Sequence, residues 1–257
     1  MTWEETWIAY TTMIRKEVTR FTRLWIQTLL PSVITTALYY LIFGTFIGSQ
    51  IRPVGGYTYI QFIVPGLVMM AVITNAFANV VSSFFGAKFQ KQLEELLVSP
   101  LTPLTIIAAF VTGGVLRGLA VGVLVLGVSL FFTHLVVHSV LITFLFILLT
   151  AILFSLAGLI NGIYAKNFDG VSIIPTFVLT PLTYLGGVFY SINMLPPVWQ
   201  TVSKLNPILY MVNGFRYGFL GVSDVSVATS FAVLIVFILI LLGLTLHLFK
   251  TGRGLRA

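Results

Sequence analysis

The sequence predicts an all-α integral membrane protein with six transmembrane helices, and three observations predict it. First, six runs contain no Asp, Glu, Lys or Arg: Leu24 to Ile51, Pro53 to Ala87, Leu96 to Leu116, Gly118 to Ala165, Gly170 to Ser203 and Val225 to Phe249. Each matches or exceeds the roughly 20 residues a helix needs to cross a hydrocarbon core. Second, the 257 residues are 58% hydrophobic and only 8% charged, where a soluble domain carries about a quarter charged residues. Third, the runs are continuously apolar instead of alternating apolar and polar, which favours helices over a barrel.

The same composition excludes several classes. The net charge of +7 sits at the ends of the apolar runs and forms no patch interleaved with exposed aromatics, so it reads as a topology signal and not as a nucleic-acid surface. There is no cysteine, hence no disulfide framework and no thiolate metal site. Glu4, Glu5, Arg15, Lys16, Glu17, Arg20 and Arg23 leave no apolar core before residue 24, which argues against a cleavable signal peptide.

Residues 1–23 form an interfacial helix. Trp3, Trp7, Tyr10, Ile14, Val18, Phe21 and Trp25 recur at spacings of three and four, with Arg15, Lys16 and Arg20 elsewhere on the helix as anchors. The lipid surface is the expected partner of the apolar face; a partner protein is the alternative. The first span covers 24–48, and its basic approach puts the N-terminus in the cytoplasm. After a short outer loop, the second span covers 57–84 and contains Pro65-Gly66, which is expected to kink it.

A charged helix, 86–99, then leaves the membrane. Within FGAKFQKQLEELLVSPLTP (85–103), Phe85, Phe89, Leu93, Leu96 and Leu97 make one apolar face while Lys88, Lys91, Glu94 and Glu95 crowd the other. Ser99-Pro100 and Pro103 end it. A two-faced helix outside the spans needs lipid or a soluble partner to cover its apolar side.

The third span, 104–131, carries Gly114, Gly118 and Gly122 four apart, a spacing that lets a neighbouring helix approach closely. It also carries Arg117, which at that depth must face protein, water or an acid; it is either a structural arginine bonded to carbonyls or part of a substrate path. His134 and His138 stand at i and i+4, but no third ligand lies nearby, so a short outer turn is expected and no metal. The fourth span is 140–164, followed by a cytoplasmic turn at Lys166 to Asp169. The fifth, 170–190, is interrupted by Pro175, Pro181 and Gly186-Gly187.

Residues 191–224 are punctuated by Pro196-Pro197, Asn206-Pro207, Asn213-Gly214 and Gly221, with Lys204 and Arg216 inside. Two half-helices forming a re-entrant or outer hairpin are expected. Parity agrees, because a crossing here would put Lys250, Arg253 and Arg256 outside after the final span, 225–249. With the tail, 250–257, in the cytoplasm, ten of the fourteen basic residues lie inside (15, 16, 20, 23, 88, 91, 166, 250, 253 and 256).

Two motifs now carry a resemblance. KQLEELLVSPLTPLTIIAA, from Lys91 to Ala109, resembles the region after the second span in type-2 ABC exporter permeases. MLPPVWQTVSKLNPILYMVNGFRYGFLG, from Met194 to Gly221, is similar to that family's Leu-Pro, Trp, Asn-Pro and Arg-before-Gly pattern, here Leu195-Pro196, Trp199, Asn206-Pro207, Arg216 and Gly221. The resemblance covers nearly the whole chain. It implies an inner-membrane permease working as a homodimer, each copy bound on its cytoplasmic face to a separate ATPase subunit. Segment 86–99 would be the coupling helix, with Lys88, Phe89, Lys91, Gln92, Leu93, Glu94, Glu95 and Leu96 meeting the ATPase. Phe89, Leu93 and Leu96 would fill a cleft there. Pro196, Pro197, Trp199, Asn206, Pro207 and Arg216 would build the exit-side hairpin.

The chain itself is not expected to be catalytic. No G-x-x-x-x-G-K-[ST] loop is present, so ATP and Mg would sit on the partner. None of the seven acids (Glu4, Glu5, Glu17, Glu94, Glu95, Asp169, Asp224) is expected mid-membrane. An ion-coupled transporter or channel is one alternative, with Arg117 as its lone ionisable candidate. A membrane-embedded transferase is the other, with only His134 and His138 to offer. The aromatic-rich, nearly charge-free spans suit a hydrophobic or amphipathic substrate.

Overall fold

A computed structural model describes residues 2–135 and 137–255. It is a bundle of α-helices, and among the described residues five helical segments are long and apolar enough to cross a membrane. In order, they are Trp25–Gln50, Tyr59–Phe89, Pro103–Ser129, Val140–Tyr164 and Val227–Thr251.

Helix α1 (Trp3–Arg23) begins with a capping box, in which Glu5 N–H donates to Thr2 Oγ1 and Thr2 N–H donates to the Glu5 carboxylate. The first membrane segment starts with α2 (Trp25–Thr28) and α3 (Leu30–Tyr39), separated at Leu29. Pro31 lies at the start of α3 and cannot donate a backbone hydrogen bond, which favours a restart there. The segment then passes into a π-helical stretch, Tyr40–Ile47.

Helix α4 (Tyr59–Phe89) is the axis of the bundle. It is buried along most of its length and packs most extensively against α6 (Pro103–Ser129) and α7 (Val140–Tyr164). The helix runs through Pro65 without interruption. Its 31 residues span about 46 Å at 1.5 Å per residue, against a hydrocarbon core of about 30 Å. It is therefore longer than an upright crossing needs.

The glycines expected to admit a neighbour do so. A Cβ on Gly114 would meet Ser155 Oγ of α7 and Val80 Cγ2 of α4, the latter at 2.5 Å; one on Gly118 would lie 3.1 Å from Ala76 Cβ, and one on Gly122 would lie 2.9 Å from Val72 Cγ2. Without side chains, α6 settles onto α4 at backbone distance.

The predicted fifth span has a different form. Residues 168–184 are continuously helical as α8 (Phe168–Ile174), a π-helical stretch at Pro175–Leu179, and α9 (Thr180–Tyr184). At about 25 Å this segment is shorter than the predicted 170–190. It stops because Gly187 turns left-handed, at φ +72°, and the chain doubles back with Val188 against Gly66 of α4. Residues 191–224 contain two helices, α10 (Pro197–Lys204) and α11 (Pro207–Leu220), before α12 (Val227–Thr251).

The buried apolar residues form two clusters. The larger joins α4, α6, α7 and α11. The smaller lies at the end of the bundle that holds α5 (Gln92–Val98) and gathers Phe84, Leu93, Ile106, Phe110, Phe249 and Leu255.

Candidate functional site

The charged helix expected over 86–99 is two pieces. Helix α4 continues to Phe89, the chain turns at Gln90, and Lys91 adopts φ +61° before α5 starts. That left-handed residue re-aims the chain, so the apolar spacing from Phe85 to Leu97 does not describe one face. Leu93 is fully buried among Phe84, Ile106, Ile107 and Phe110. The placement of Leu93 on an outward, partner-filling face is therefore corrected: it anchors α5 to its own bundle.

Lys88 is also turned inward. Its Nζ donates to Ile163 O at 2.7 Å and Ala165 O at 3.3 Å. These carbonyls belong to the C-terminal end of α7, where the last C=O groups lack helical partners and the helix dipole favours a cation. Lys88 thus caps α7 and does not stand at the rim.

Outward exposure falls to Phe89, Lys91, Glu94, Glu95, Leu97 and Val98, while Gln92 and Leu96 are half-buried. Phe89 is 63% exposed. It packs beside Phe85 and Phe168, with ring centroids 6.1 and 5.2 Å away. Phe168 in turn sits 5.1 Å from Phe85, which ties the turn before α8 to the end of α4.

Helix α1 closes the other side of this end of the bundle. Lys16 Nζ donates to Gln92 Oε1 at 2.9 Å, a direct link from α1 to α5. Glu17, only 5% exposed, accepts from Ser83 Oγ and pairs with Arg20 at 3.2 Å. Arg20 also donates to Asn79 O and Asn79 Oδ1, both at 2.9 Å, and to Ser82 Oγ at 3.2 Å. Tyr10 OH shares a 2.9 Å hydrogen bond with Thr112 Oγ1 of α6. Arg20 is thus a structural fork, while Arg15 stays exposed and Trp3 and Trp7 keep more than half their surface. Between α1, α4 and α5 lies an open cleft of about 940 Å³, lined by Lys16, Glu17, Arg20, Ser83, Gln92 and Glu95 among others.

Sequence reasoning passed over Glu17, yet a signal was present. Tyr10, Ile14, Glu17 and Phe21 follow a four, three, four spacing, so the acid occupies a position of the buried stripe.

Arg117 donates to Thr28 O at 3.0 Å and Asn75 Oδ1 at 3.1 Å. It crosslinks the break between α2 and α3 to α4, the geometry of a structural arginine. In the segment before α12, Asn206 caps α11 by accepting from Ile208 N–H at 3.0 Å and holds Leu182 O at 2.6 Å. Pro197 and Pro207 occupy first turns of α10 and α11, preceded by Pro196, and Trp199 is exposed. Arg216 is 1% exposed; it donates to Gly187 O at 2.6 Å and lies 4.0 Å above the Phe62 ring. Asp224, also passed over, accepts from Ile192 N–H at 3.0 Å and Asn193 Nδ2 at 3.1 Å.

His138 packs edge-on to Tyr217 at 5.5 Å, and no helix spans 133–135 or 137–139. Among the described residues no three His, Cys, Asp or Glu side chains cluster as metal ligands. Arg256, one of the expected cytoplasmic cations, lies outside the described residues.

Comparison with known proteins adds a family. Residues 8–220 match the family model described as ABC-2 type transporter. The chain is 59% identical over 251 residues, 98% of each chain, to the inner membrane transport permease YadH of Escherichia coli (strain K12), with the same figures for its Shigella flexneri counterpart. It is 26% identical over 220 residues, covering 84% of this chain and 82% of the relative, to nodulation protein J of Rhizobium leguminosarum bv. trifolii.

Proposed function

The chain belongs to the ABC-2 type transporter family, and from that premise we propose that it is the transmembrane permease subunit of an ATP-driven exporter in a bacterial inner membrane. It moves a hydrophobic or amphipathic substrate outward, and the energy comes from ATP and Mg bound on a separate ATPase subunit. Two copies assemble, and lipid covers the remaining apolar faces.

The observation that carries this reading is the build of α5. A seven-residue helix is too short to be stable alone. It is pinned by Leu93 beneath and Lys16 beside, and it turns Glu94, Glu95, Leu97 and Val98 outward. A rigid, two-toned knob joined to the end of the bundle axis suits the transmission of motion from a soluble partner. The contact set is Phe89, Lys91, Gln92, Glu94, Glu95 and Leu96, extended to Leu97 and Val98, with Leu93 and Lys88 supporting it from inside.

In this reading 168–184 is a short sixth span, and α5 and both termini lie on the cytoplasmic side. The positive-inside rule supports this arrangement through Arg15, Lys16, Arg20, Lys166 and Lys250. The 191–224 segment then lies toward the outer face. Arg117 Nη2 is engaged by Thr28 O and Asn75 Oδ1, and one arginine without an acid partner gives ion-coupled transport little to work with.

Co-purification with the ATPase subunit tests the assignment. Glu95→Lys and Leu97→Asp, both at exposed positions, are expected to lower ATPase retention and coupled ATP hydrolysis while the permease alone stays folded. Unchanged retention and hydrolysis in both variants would overturn it.

A further inference from the structure

Helix α1 turns its apolar side toward the bundle. Phe21 is buried, Tyr10 OH meets Thr112 Oγ1 of α6, and α6 is the element that α1 packs against most. The bundle, and not lipid, therefore covers the face expected to lie on the membrane. What faces outward is a different line. Ile8, Thr12, Arg15, Thr19 and Arg23, spaced four, three, four and four apart, are all exposed, and residues at these spacings are neighbours on one helix face.

Along the later part of this line runs an open groove of about 660 Å³. Arg15, Lys16, Arg20 and Arg23 line it together with Thr12 and Thr19, and no Asp or Glu does. Lys16 and Arg20 are held from behind: Lys16 Nζ donates to Gln92 Oε1 of α5, and Arg20 donates to Asn79 Oδ1 and Ser82 Oγ of α4. Arg15 and Arg23 are exposed, and the one ion pair among the described residues, Glu17 with Arg20, leaves them without an acid. They stand about 12 Å apart along the helix axis, with the Thr19 hydroxyl midway as a further donor. Lys16 and Arg20 are four apart, and Arg20 and Arg23 three apart, which makes like-charged pairs that repel on a helix. A bound anion removes that repulsion.

The surroundings fix the kind of anion. Leu24, Trp25 and Ile26, directly after the groove, are 46%, 52% and 59% exposed, and Trp25–Gln50 is long and apolar enough to cross a membrane. Trp7 and Ile8, on the other side of it, are exposed as well. The cations are thus bracketed by apolar surface at the mouth of a span, where basic clusters meet anionic lipid. A second copy would bring the same cationic line against this one, which disfavours pairing along it.

We propose that this groove binds the phosphate of an anionic glycerophospholipid, with Arg15 and Arg23 converging on the phosphodiester oxygens over Thr19 and the acyl chains lying along Leu24, Trp25 and Ile26. Guanidinium groups offer paired N–H donors that match phosphate. A zwitterionic head group brings an ammonium that meets only cations, so the anionic one is selected. Neutralising the groove steadies α1 and, through Lys16, its link to α5. Such binding goes beyond the transport reading and requires only that α1 lie at a membrane surface, whatever the cargo.

Photolabelling of the full-length permease in lipid nanodiscs tests this with phosphatidylglycerol and phosphatidylcholine probes carrying the same acyl-chain diazirine. The phosphatidylglycerol probe is expected to label the peptide covering 12–26 about tenfold more strongly, and less so at high salt. Arg15→Gln/Arg23→Gln should lower that labelling ten- to thirtyfold, the effect of two cations near an anionic surface, at unchanged Tm because both side chains are exposed. In the wild type alone, amides of 12–23 and 92–98 should exchange more slowly in phosphatidylcholine discs that contain phosphatidylglycerol than in discs that lack it. Equal labelling by the two probes, labelling indifferent to the double variant, or wild-type exchange indifferent to lipid charge would overturn the proposal. Full competition by soluble glycerophosphoglycerol would overturn it by assigning the groove to a free phosphodiester. Protection of 12–23 that needs the ATPase subunit and not the anionic lipid would overturn it by assigning the groove to an acidic protein surface.

Discussion

Leu93→Ala separates an internal anchor from a partner contact. Leu93 is fully buried beneath α5, and alanine removes three carbons from that packing. At about 0.8 kcal/mol per buried methylene the transfer loss is about 2.4 kcal/mol, and an incompletely collapsed cavity carries the range to about 2–5 kcal/mol. Because α5 has seven residues, its order depends on this anchor and not on intrinsic helicity. The loss therefore appears as local opening. A change of about 2 kcal/mol raises the open fraction roughly 30-fold. Amide hydrogen exchange of the isolated permease, with no ATPase present, should show residues 92–98 exchanging faster by that factor. Leu97→Ala, on the exposed side, should leave the same amides unchanged. If Leu93→Ala retained wild-type protection, or if Leu97→Ala lost as much, the inward assignment of Leu93 would be wrong.

Three further outcomes follow from the packing and polar contacts. Gly114→Ala should destabilise the bundle by about 1–3 kcal/mol through overpacking against Val80 and Ser155; Gly127→Ala, with nothing within 4 Å of the new Cβ, should be neutral or slightly stabilising in a Tm comparison. Glu17→Gln should loosen α1 by about 1 kcal/mol, a figure kept low because the Arg20 side chain is 32% exposed, and limited trypsin digestion should cut sooner at Lys16 and Arg23. Arg216→Lys should cost about 1.5–3 kcal/mol, since a compact ammonium cannot both reach Gly187 O and stack on Phe62, while Lys204→Gln at an exposed position leaves the Tm unchanged.

Much of the architecture was legible in the sequence. The apolar stretch read as 140–164 is helical over those same residues in α7, and helices α6 and α12 lie within about two residues of 104–131 and 225–249 at their ends. Long apolar runs leave little choice, because an unpaired backbone in hydrocarbon costs several kcal/mol per group and a helix is the local solution. The glycine spacing on α6 likewise announced a close neighbour. Arg117 was narrowed to two roles, and its Nη2 hydrogen bonds to Thr28 O and Asn75 Oδ1 are the contacts a structural role calls for.

The end of the bundle holding α5 was less legible, for reasons that particular residues make plain. Helical periodicity assumes one continuous axis, and a single left-handed residue, Lys91, ends that assumption. Lys88 reads as a surface charge until α7 supplies two uncapped carbonyls for it, and those carbonyls lie 75 and 77 residues away. Glu17 reads as one more interfacial charge until Ser83 and Arg20 enclose it. The sequence by itself determined an all-helical membrane chain, the approximate position of its apolar helices, and a polar island between two of them. Only tertiary structure decided which of that island's residues point outward. A side chain's outward or inward fate depends on partners distant in the chain, and no local pattern contains them.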